Sequence, residues 1–389
     1  MADPPLLTRP FLLLVAAHFL QGLGFASMLL LPLYLDHLGA SRAQVGLVMA
    51  TAGVGALLAR PLVAWSLDRV GRRPTLVVGT GLVVLGMALL ALVTTTGPLV
   101  YAVRVVFGLG QGALFAGYFT VAADIVPEAR RTEGIALFGI SGLVPLALNG
   151  FVALARLDAD ALRWLYPVAA LLVASSLLFV VRLPEPPPHP PAGDGEGTVW
   201  EALRQRRLLP VWLATAAFAS SMAVFMAFVT VIAEARGVRW PAAVWLPYAA
   251  GAVSVRLVGA RIPDRLGPEN LVAPAIGLFA LALLLAGRGT ADASFLLAGL
   301  VGGLAHGLAF PIVAGQAVSR SPARWRGSVM SLFTAVWQAA EMVAPPIGGL
   351  IADRAGDARM TGLVALAAAV SLLPWLLLER RFGGRAADR

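Results

Sequence analysis

The chain has 389 residues, of which 59% are hydrophobic and only 13% are charged, which is too apolar for a soluble domain of this length. Lys and Arg together number 30 against 21 acidic residues, and every one of the 30 is arginine. The absence of lysine and cysteine excludes Schiff-base, P-loop, disulfide, thiolate and cysteine–metal chemistry. The arginines punctuate long apolar runs instead of clustering with aromatic residues, which argues against a nucleic-acid-binding protein. The composition therefore indicates a polytopic membrane protein.

Twelve apolar runs are long enough to cross a bilayer core as helices, which takes about 20 residues each. The six runs of the first half are 11–35, 43–66, 74–95, 98–123, 133–155 and 163–182. The six runs of the second half are 209–234, 241–260, 270–288, 293–319, 327–352 and 360–379. We therefore predict an all-α integral membrane protein with twelve transmembrane helices arranged as two six-helix bundles.

A proline- and glycine-rich segment separates the two sets of runs. Residues 184–208 contain PEPPPHPPAGDGEG, which can neither form a helix nor bury a core. The predicted organisation is an N-terminal bundle at 1–183, a cytoplasmic linker at 184–208 and a C-terminal bundle at 209–389.

The distribution of arginine predicts the orientation in the membrane. If the N-terminus is inside, the inner loops and tails contain 19 arginines and the outer loops contain 8. Short arginine-rich loops remain on the cytoplasmic side. We therefore expect both termini in the cytoplasm and a multi-pass protein of a bacterial-type plasma membrane.

An internal repeat relates the two halves. Four residue pairs are offset by 196 positions: Arg60 and Arg256, Asp68 and Asp264, Arg69 and Arg265, and Gly71 and Gly267. Three further pairs are offset by 195: Pro127 and Pro322, Arg131 and Arg326, and Phe138 and Phe333. Parallel repeats of six spans are typical of transporters whose substrate site lies at the midplane between two halves that rock against each other.

Three charged motifs carry a family resemblance. The segment SLDRVGRRP at 66–74 resembles the loop signature between the second and third helices of the major facilitator superfamily. Arg104 in RVVFGLGQGALFAG is similar to the fourth-helix motif of the family's drug and proton antiporter branch, and Asp124 and Arg131 in ADIVPEARR resemble the following inner loop. The resemblance implies a secondary transporter of small molecules.

The loop charges predict a cytoplasmic gate. Asp68 can pair with Arg72 one turn later and accept hydrogen bonds from a helix N-terminus of the opposite half. The alternative is that the arginines only anchor the membrane edge. The predicted gate residues are Asp68, Arg69, Gly71, Arg72, Arg73, Asp124, Arg131, Asp264 and Arg265.

Two charged side chains lie inside predicted spans at similar depth. Arg104 is about seven residues into the fourth span, and Glu341 is about fifteen residues into the eleventh. An unpaired charge there costs several kcal/mol, so such groups face a partner or a cavity. We predict that Glu341 and Arg104 serve proton coupling, because a carboxyl in this setting can bind and release a proton. A structural role for Glu341, bonded to serine or backbone, is the alternative.

Further polar and aromatic side chains within the spans are candidates for the substrate cavity. They are His18, Gln21, Gln111, Asn149, Phe218, Met222, Phe225, His306, Trp337 and Gln338. The alternative is that the polar members bond helix to helix and that the stripe of the seventh helix packs inside the bundle or against lipid. If this stripe faces the cavity, its aromatic and methionine side chains suit bulky amphipathic compounds.

The leading interpretation is proton-coupled efflux of hydrophobic or drug-like compounds by alternating access. Its partners are a small-molecule substrate, protons and membrane lipid, with no cofactor, metal or nucleic acid, and twelve helices can enclose a site as a monomer. One alternative is uptake or facilitated transport of a sugar or organic acid, with Arg104 binding an anionic group, and another is a non-transporting receptor on the same fold. An enzyme is disfavoured because the sequence lacks an HExxH motif and a Ser/His/Asp grouping.

Overall fold

The computed structural model describes residues 5–127, 130–155, 157–185, 199–258, 266–322 and 325–383. Within these ranges the regular elements are helices, without a strand, which confirms the all-α prediction for the part of the chain described. The chain divides into two compact units, Met1–Pro191 and Ala192–Arg389.

The first unit contains nine described helices. They are α1 (Arg9–Met28), α2 (Leu31–His37), α3 (Arg42–Arg69), α4 (Arg72–Leu89), α5 (Pro98–Ile125), α6 (Arg131–Leu143), α7 (Leu146–Leu154), α8 (Ala159–Ser175) and α9 (Leu177–Val180). Local chemistry sets several of the starts. Thr8 accepts a hydrogen bond from the backbone N–H of Phe11, and Ser41 and Gln44 form a capping box at the start of α3.

The second unit contains seven described helices. They are α10 (Val199–Arg204), α11 (Leu209–Ala235), α12 (Trp245–Val258), α13 (Pro268–Arg288), α14 (Asp292–Ser319), α15 (Arg326–Ala355) and α16 (Asp357–Phe382). Prolines in the first turn favour the starts of α11 and α13. Backbone N–H groups in a first turn have no acceptor within the helix, so proline, which has no N–H, loses no hydrogen bond there.

Nine helical segments among the described residues are long and apolar enough to cross a membrane. Three of the predicted spans are not in this set. The span 133–155 is divided into α6 and α7. In the described part of the span 241–260, α12 has only 14 residues and follows a 3-10 helix at Pro241–Val244. Helix α15 has 30 residues, but Glu341 and Gln338 lower its hydropathy.

Two helices end just before a proline, whose nitrogen cannot donate a hydrogen bond. Helix α1 ends at Met28, whose carbonyl would need the missing N–H of Pro32. Helix α6 ends at Leu143, and in its last turn the carbonyl of Ser141 would need the missing N–H of Pro145. In the sequence each of these regions is one continuous apolar run, because hydropathy depends on side-chain polarity and not on the loss of a backbone hydrogen bond.

A glycine-mediated helix crossing occurs in both units at the repeat offset. A Cβ atom added to Gly108 of α5 would lie 2.0 Å from the carbonyl oxygen of Ala52 in α3. A Cβ atom added to Gly303 of α14 would lie 2.0 Å from the carbonyl oxygen of Tyr248 in α12. Only glycine permits backbones to approach so closely. Each unit therefore builds the same crossing from corresponding residues.

The turn before the third helix of each unit is also repeated. Gly71 precedes α4 with φ +128° and Gly267 precedes α13 with φ +81°. Side chains other than glycine rarely adopt this part of backbone space. The two glycines therefore direct α4 and α13 out of equivalent turns.

Candidate functional site

A buried arginine organises the end of the first unit where α4 begins. The Nε of Arg72 donates to Asp124 Oδ2 at 3.1 Å, and its Nη1 donates to the carbonyl of Leu67 at 2.7 Å. Its side chain is 5% exposed. A guanidinium at this depth needs such acceptors, because desolvation without them is costly. Arg72 therefore ties the end of α3 and the start of α4 to the last turn of α5.

Glu185 completes this cluster from the segment that follows α9. Its Oε1 accepts the backbone N–H of Arg72 at 2.6 Å, and its Oε2 accepts the backbone N–H of Arg73 at 2.8 Å. The Arg73 guanidinium donates to the carbonyl of Leu183. Gly71, as N-cap, has no side chain to satisfy these N–H groups, and a carboxylate at a helix N-terminus is favourable. We call Arg72, Arg73, Asp124 and Glu185 the Arg72 cluster.

The predicted pair of Asp68 with Arg72 is wrong. Arg72 points from the start of α4 toward α5 and bonds Asp124 instead. Asp68 and Arg69 are exposed, and Asp68 forms no hydrogen bond with the residues that the structure describes. Of the other predicted gate residues, Asp264 and Arg265 lie outside the described residues, and the Arg131 side chain is outside the description as well.

The second unit has an ion pair that the sequence did not reveal. Arg320, at the end of α14, donates from Nη1 to Glu379 Oε2 at 2.8 Å and from Nη2 to Oε1 at 2.5 Å. The two side chains are 6% and 13% exposed. This bidentate geometry is the strongest form of an arginine–carboxylate contact.

Arg104 is buried in α5 and bonds the backbone of α3. Its Nε and Nη2 donate to the carbonyls of Val48 and Met49 at 3.3 and 3.2 Å. Its guanidinium carbon lies 5.2 Å from the ring centre of Phe107, while its Nη1 has no partner. Two carbonyls and a ring solvate the charge without neutralising it. The Nη1 amino group therefore remains free to donate to another group.

Glu341 lies in the middle of α15, one turn after Trp337. The indole Nε1–H of Trp337 donates to Glu341 Oε1 at 2.8 Å. Both residues are half-buried. Among the described residues no arginine or histidine forms an ion pair with this carboxyl. The Glu341 carboxyl is therefore hydrogen-bonded by a neutral indole and is not paired with a cationic side chain of the described residues.

Aromatic rings surround Trp337. Its ring centre lies 5.3 Å from that of Phe310, 5.7 Å from that of Phe218 and 6.2 Å from that of Phe333. Phe218 and Phe333 are buried, whereas Phe310 and Trp337 are half-buried. The candidates of the seventh predicted helix, Phe218, Met222 and Phe225, are at most 4% exposed. The Glu341 carboxyl therefore adjoins a largely aromatic environment.

A second polar pair links α12 and α14. The hydroxyl of Tyr248 lies 2.8 Å from Nδ1 of His306. Tyr248 is fully buried and stacks on Phe225 with ring centres 5.9 Å apart, and the His306 ring lies 6.1 Å from that of Phe218. His306 is half-buried. Sequence reasoning found the histidine, but its tyrosine partner lies 58 residues away in the chain.

The polar candidates of the first unit connect helices. The Nδ1 of His18 in α1 lies 2.8 Å from the Ser141 hydroxyl in α6, and Gln21 Nε2 donates to Gln111 Oε1 in α5 at 3.0 Å. Asn149 Nδ2 donates to the carbonyl of Ala26 at 2.7 Å, linking α7 to α1. These are the helix-to-helix contacts that the alternative reading expects. Gln338 in the second unit is half-buried.

Comparison of the sequence with known families gives one match. The sequence profile of the Major Facilitator Superfamily matches residues 12–287 and 248–388. The MFS-type transporter YhhS of Escherichia coli K12 is 26% identical over 359 residues, which cover 89% of this chain and 86% of that protein. The multidrug resistance protein MdtL of Klebsiella pneumoniae is 25% identical over 204 residues, covering 52% of this chain and 51% of that one.

Solved structures show the same fold. The human organic anion transporter MFSD10 (TETRAN) matches with a TM-score of 0.72 at 19% identity, over 97% of this chain and 100% of the other. A POT family transporter matches with a TM-score of 0.82 at 14% identity, over 97% of each chain. At these identities the likeness concerns the fold alone.

Proposed function

Because the chain belongs to the major facilitator superfamily, whose members are transporters and not enzymes, we propose that it exports hydrophobic or drug-like molecules in exchange for protons. The proposal places it in a bacterial-type inner membrane, with twelve spans, both termini in the cytoplasm and a monomer as the working unit. The similarity to a multidrug resistance protein over half of the chain supports the direction and the substrate class. The antiporter-like motif around Arg104 supports the same branch of the family.

The observation that carries the proposal is the contact of Glu341 with Trp337. An indole N–H bonds one carboxyl oxygen, at 2.8 Å, whether the other oxygen is protonated or not. Protonation therefore breaks no ion pair with a described residue, and the charge of this carboxyl can change without dismantling its surroundings. Such a group suits the alternating binding of a proton and a substrate.

Arg104 is the second coupling residue of the proposal. Its guanidinium is held by two carbonyls of α3, and its Nη1 is left without a partner. A fixed positive charge inside the bundle makes a nearby negative charge more favourable. We propose that Arg104 stabilises the deprotonated, negatively charged stage of the transport cycle.

The gate of the proposal uses the charged ends of both units. The Arg72 cluster makes a rigid corner of α3, α4 and α5, and the Arg320–Glu379 pair fixes α14 to α16. Asp68 and Arg69 remain exposed at this corner, available for changing contacts as the transporter alternates. Rigid corners with exposed charges suit rocking of a bundle as one body.

The test is proton flux in proteoliposomes that contain an internal pH dye. Lipophilic cations, neutral drugs, sugars and organic acids are added in turn to the parent protein, to Glu341→Gln and to Glu234→Gln, which makes the same change at the exposed end of α11. We expect drug-like compounds to trigger proton flux in the parent and in Glu234→Gln but not in Glu341→Gln. Flux triggered only by sugars, or equal flux in Glu341→Gln, would contradict the proposal.

A further inference from the structure

A third buried charge in the second unit has no role in the proposed proton exchange. Arg256 lies on α12, and its Nε is buried without a hydrogen-bond partner. The residue as a whole is half-buried. Among the described residues no carboxylate pairs with it. A cation in such a position is normally paired, and its missing partner points to a ligand.

Arg256 follows Tyr248 by about two turns on α12, where this helix packs against the turn of α14 that holds His306. A Cβ atom added to Gly307, next to His306, would lie 3.0 Å from the Cβ atom of Val255, next to Arg256. The fully buried Tyr248 hydroxyl needs an acceptor for its proton, and His306 Nδ1 is the partner that the structure provides at 2.8 Å. A buried phenol whose one partner is an imidazole nitrogen is satisfied as a donor only if Nδ1 carries no proton, so we take Tyr248 as donor and Nδ1 as acceptor. In the neutral imidazole the proton is then on Nε2.

The His306 Nε2–H and the Arg256 guanidinium together form a face made only of donors. Neither group accepts hydrogen bonds in this state, and both residues are half-buried. The backbone crossing at Gly303 fixes the position of Tyr248, so this orientation is built into the packing of α12 on α14. Donor-only faces with a guanidinium recognise carboxylates and similar anionic groups.

An aromatic row connects this face to the Glu341 site. Ring centres are 6.1 Å apart from His306 to Phe218 and 5.7 Å apart from Phe218 to Trp337. A ligand whose anionic group lies at Arg256 would therefore place an aromatic body toward the half-buried rings of Trp337 and Phe310. Stacking against such rings contributes beyond burial of area.

We propose that Arg256 and His306 bind the carboxylate of the transported substrate, which is an organic anion with an aromatic body. This inference rests on the proposed transport function and narrows its substrate class. Tyr248 acts as a positioning residue, because its hydrogen bond fixes the tautomer that presents Nε2–H to the ligand.

The experiment is calorimetric titration of the purified full chain in detergent with 1-naphthoate, with its neutral analogue 1-naphthamide and with tetraphenylphosphonium. The variants are Arg256→Gln, His306→Ala, His306→Gln, Tyr248→Phe and, as a matched control, Arg288→Gln at the exposed end of α13. Glutamine at 306 retains an N–H near the Nε2 position, so it separates loss of the donor from loss of the ring.

We expect Arg256→Gln to raise the Kd for 1-naphthoate by about tenfold or more, because a charge-assisted contact is lost. His306→Ala should raise it by a smaller factor, Tyr248→Phe by less again, and His306→Gln and Arg288→Gln should stay close to the parent. The Kd for 1-naphthamide should stay unchanged in every variant. If Arg256→Gln does not fold, the His306→Ala and His306→Gln pair tests the same face.

Absence of 1-naphthoate binding to the parent, or equal weakening of acid and amide by Arg256→Gln, would overturn the inference. Proton flux with tetraphenylphosphonium but no binding of 1-naphthoate would overturn it and leave the proposed function standing. Specific 1-naphthoate binding without proton flux from any compound would support the anion site at Arg256 and His306 and contradict the proposed proton-coupled transport.

Discussion

At the scale of single residues, Gly71 combines a strained conformation with a crowded site. Its φ of +128° is unfavourable for other residues, and a Cβ atom would lie 2.7 Å from Glu185 Oε1. Gly356 has a similar φ of +86° but nothing within 4 Å of its Cβ position. Substituting both glycines therefore distinguishes the cost of backbone strain, which both share, from the cost of displacing the Glu185 carboxylate, which occurs at Gly71 alone.

Gly71→Ala is predicted to destabilise the protein more than Gly356→Ala. Backbone strain costs about 1–2 kcal/mol at either position. At Gly71 the methyl group also displaces Glu185 from two backbone N–H groups, which adds about 1 kcal/mol or more. Thermal unfolding in detergent measures the difference.

The matched control is the same pair of substitutions in a Glu185→Ala background. Without the Glu185 carboxylate, Gly71→Ala and Gly356→Ala should become similar, because only backbone strain remains. Equal effects in the parent background would contradict the account of the Arg72 cluster.

Only contacts signalled by a near neighbour in the sequence or by a family motif could be predicted. The partnership of Glu341 with an indole is readable one turn away at Trp337, and a role for Asp124 beside the loop arginines was predicted from the family motif. Glu185 was read as part of a linker, although Gly71, a cap without a side chain, signals that an external acceptor is needed. The Tyr248–His306 bond has no local signal, because only the fold brings α12 to α14.

At the scale of helices, the repeated crossings predict where small residues are obligatory. Gly303→Ala would place a methyl group 2.0 Å from the Tyr248 carbonyl, so the two backbones must separate. Gly315 lies in the same helix with nothing within 4 Å of its Cβ position. We expect Gly303→Ala to lower the thermal unfolding temperature clearly, as overpacking costs about 1–3 kcal/mol.

Gly315→Ala serves as the control for helix propensity. Alanine is favoured over glycine in a helix by about 0.8–1 kcal/mol, so this variant should be neutral or slightly stabilised. A similar loss of stability in both variants would contradict the close crossing of α12 and α14.

The apolar runs predicted most helices, but not their breaks. The predicted run 11–35 corresponds to α1 and α2, and the run 133–155 corresponds to α6 and α7. Proline in a long apolar run is compatible with either a kink or a break, as the uninterrupted α14 with its internal Pro311 illustrates. Tertiary packing decides whether the helix kinks or breaks at a proline, and the composition of the run does not reveal that packing.

At the scale of the whole molecule, the absence of cysteine makes the predicted orientation directly testable. Thr95 is exposed between α4 and α5, and Arg204 is exposed at the end of α10. The arginine distribution places the first outside and the second in the cytoplasm. In intact cells, a membrane-impermeant maleimide should label Thr95→Cys, whereas Arg204→Cys should react only after permeabilisation.

The parent chain, which has no thiol, is the control for background labelling. The reverse pattern of labelling would contradict the orientation, and equal labelling of both sites in intact cells would contradict a fixed topology. The superfamily that the loop at 66–74 suggests is confirmed by the matched profile, which extends over both units.

The central claim is that protons drive transport through Glu341, and gradient-driven accumulation tests it most directly. Proteoliposomes with an imposed pH gradient are supplied with a radiolabelled drug-like substrate, and accumulation is compared with substrate exchange in the absence of a gradient. We predict that the parent accumulates substrate and exchanges it, whereas Glu341→Gln exchanges substrate without accumulating it. Accumulation by Glu341→Gln equal to that of the parent, or accumulation by the parent that ignores the pH gradient, would contradict the account.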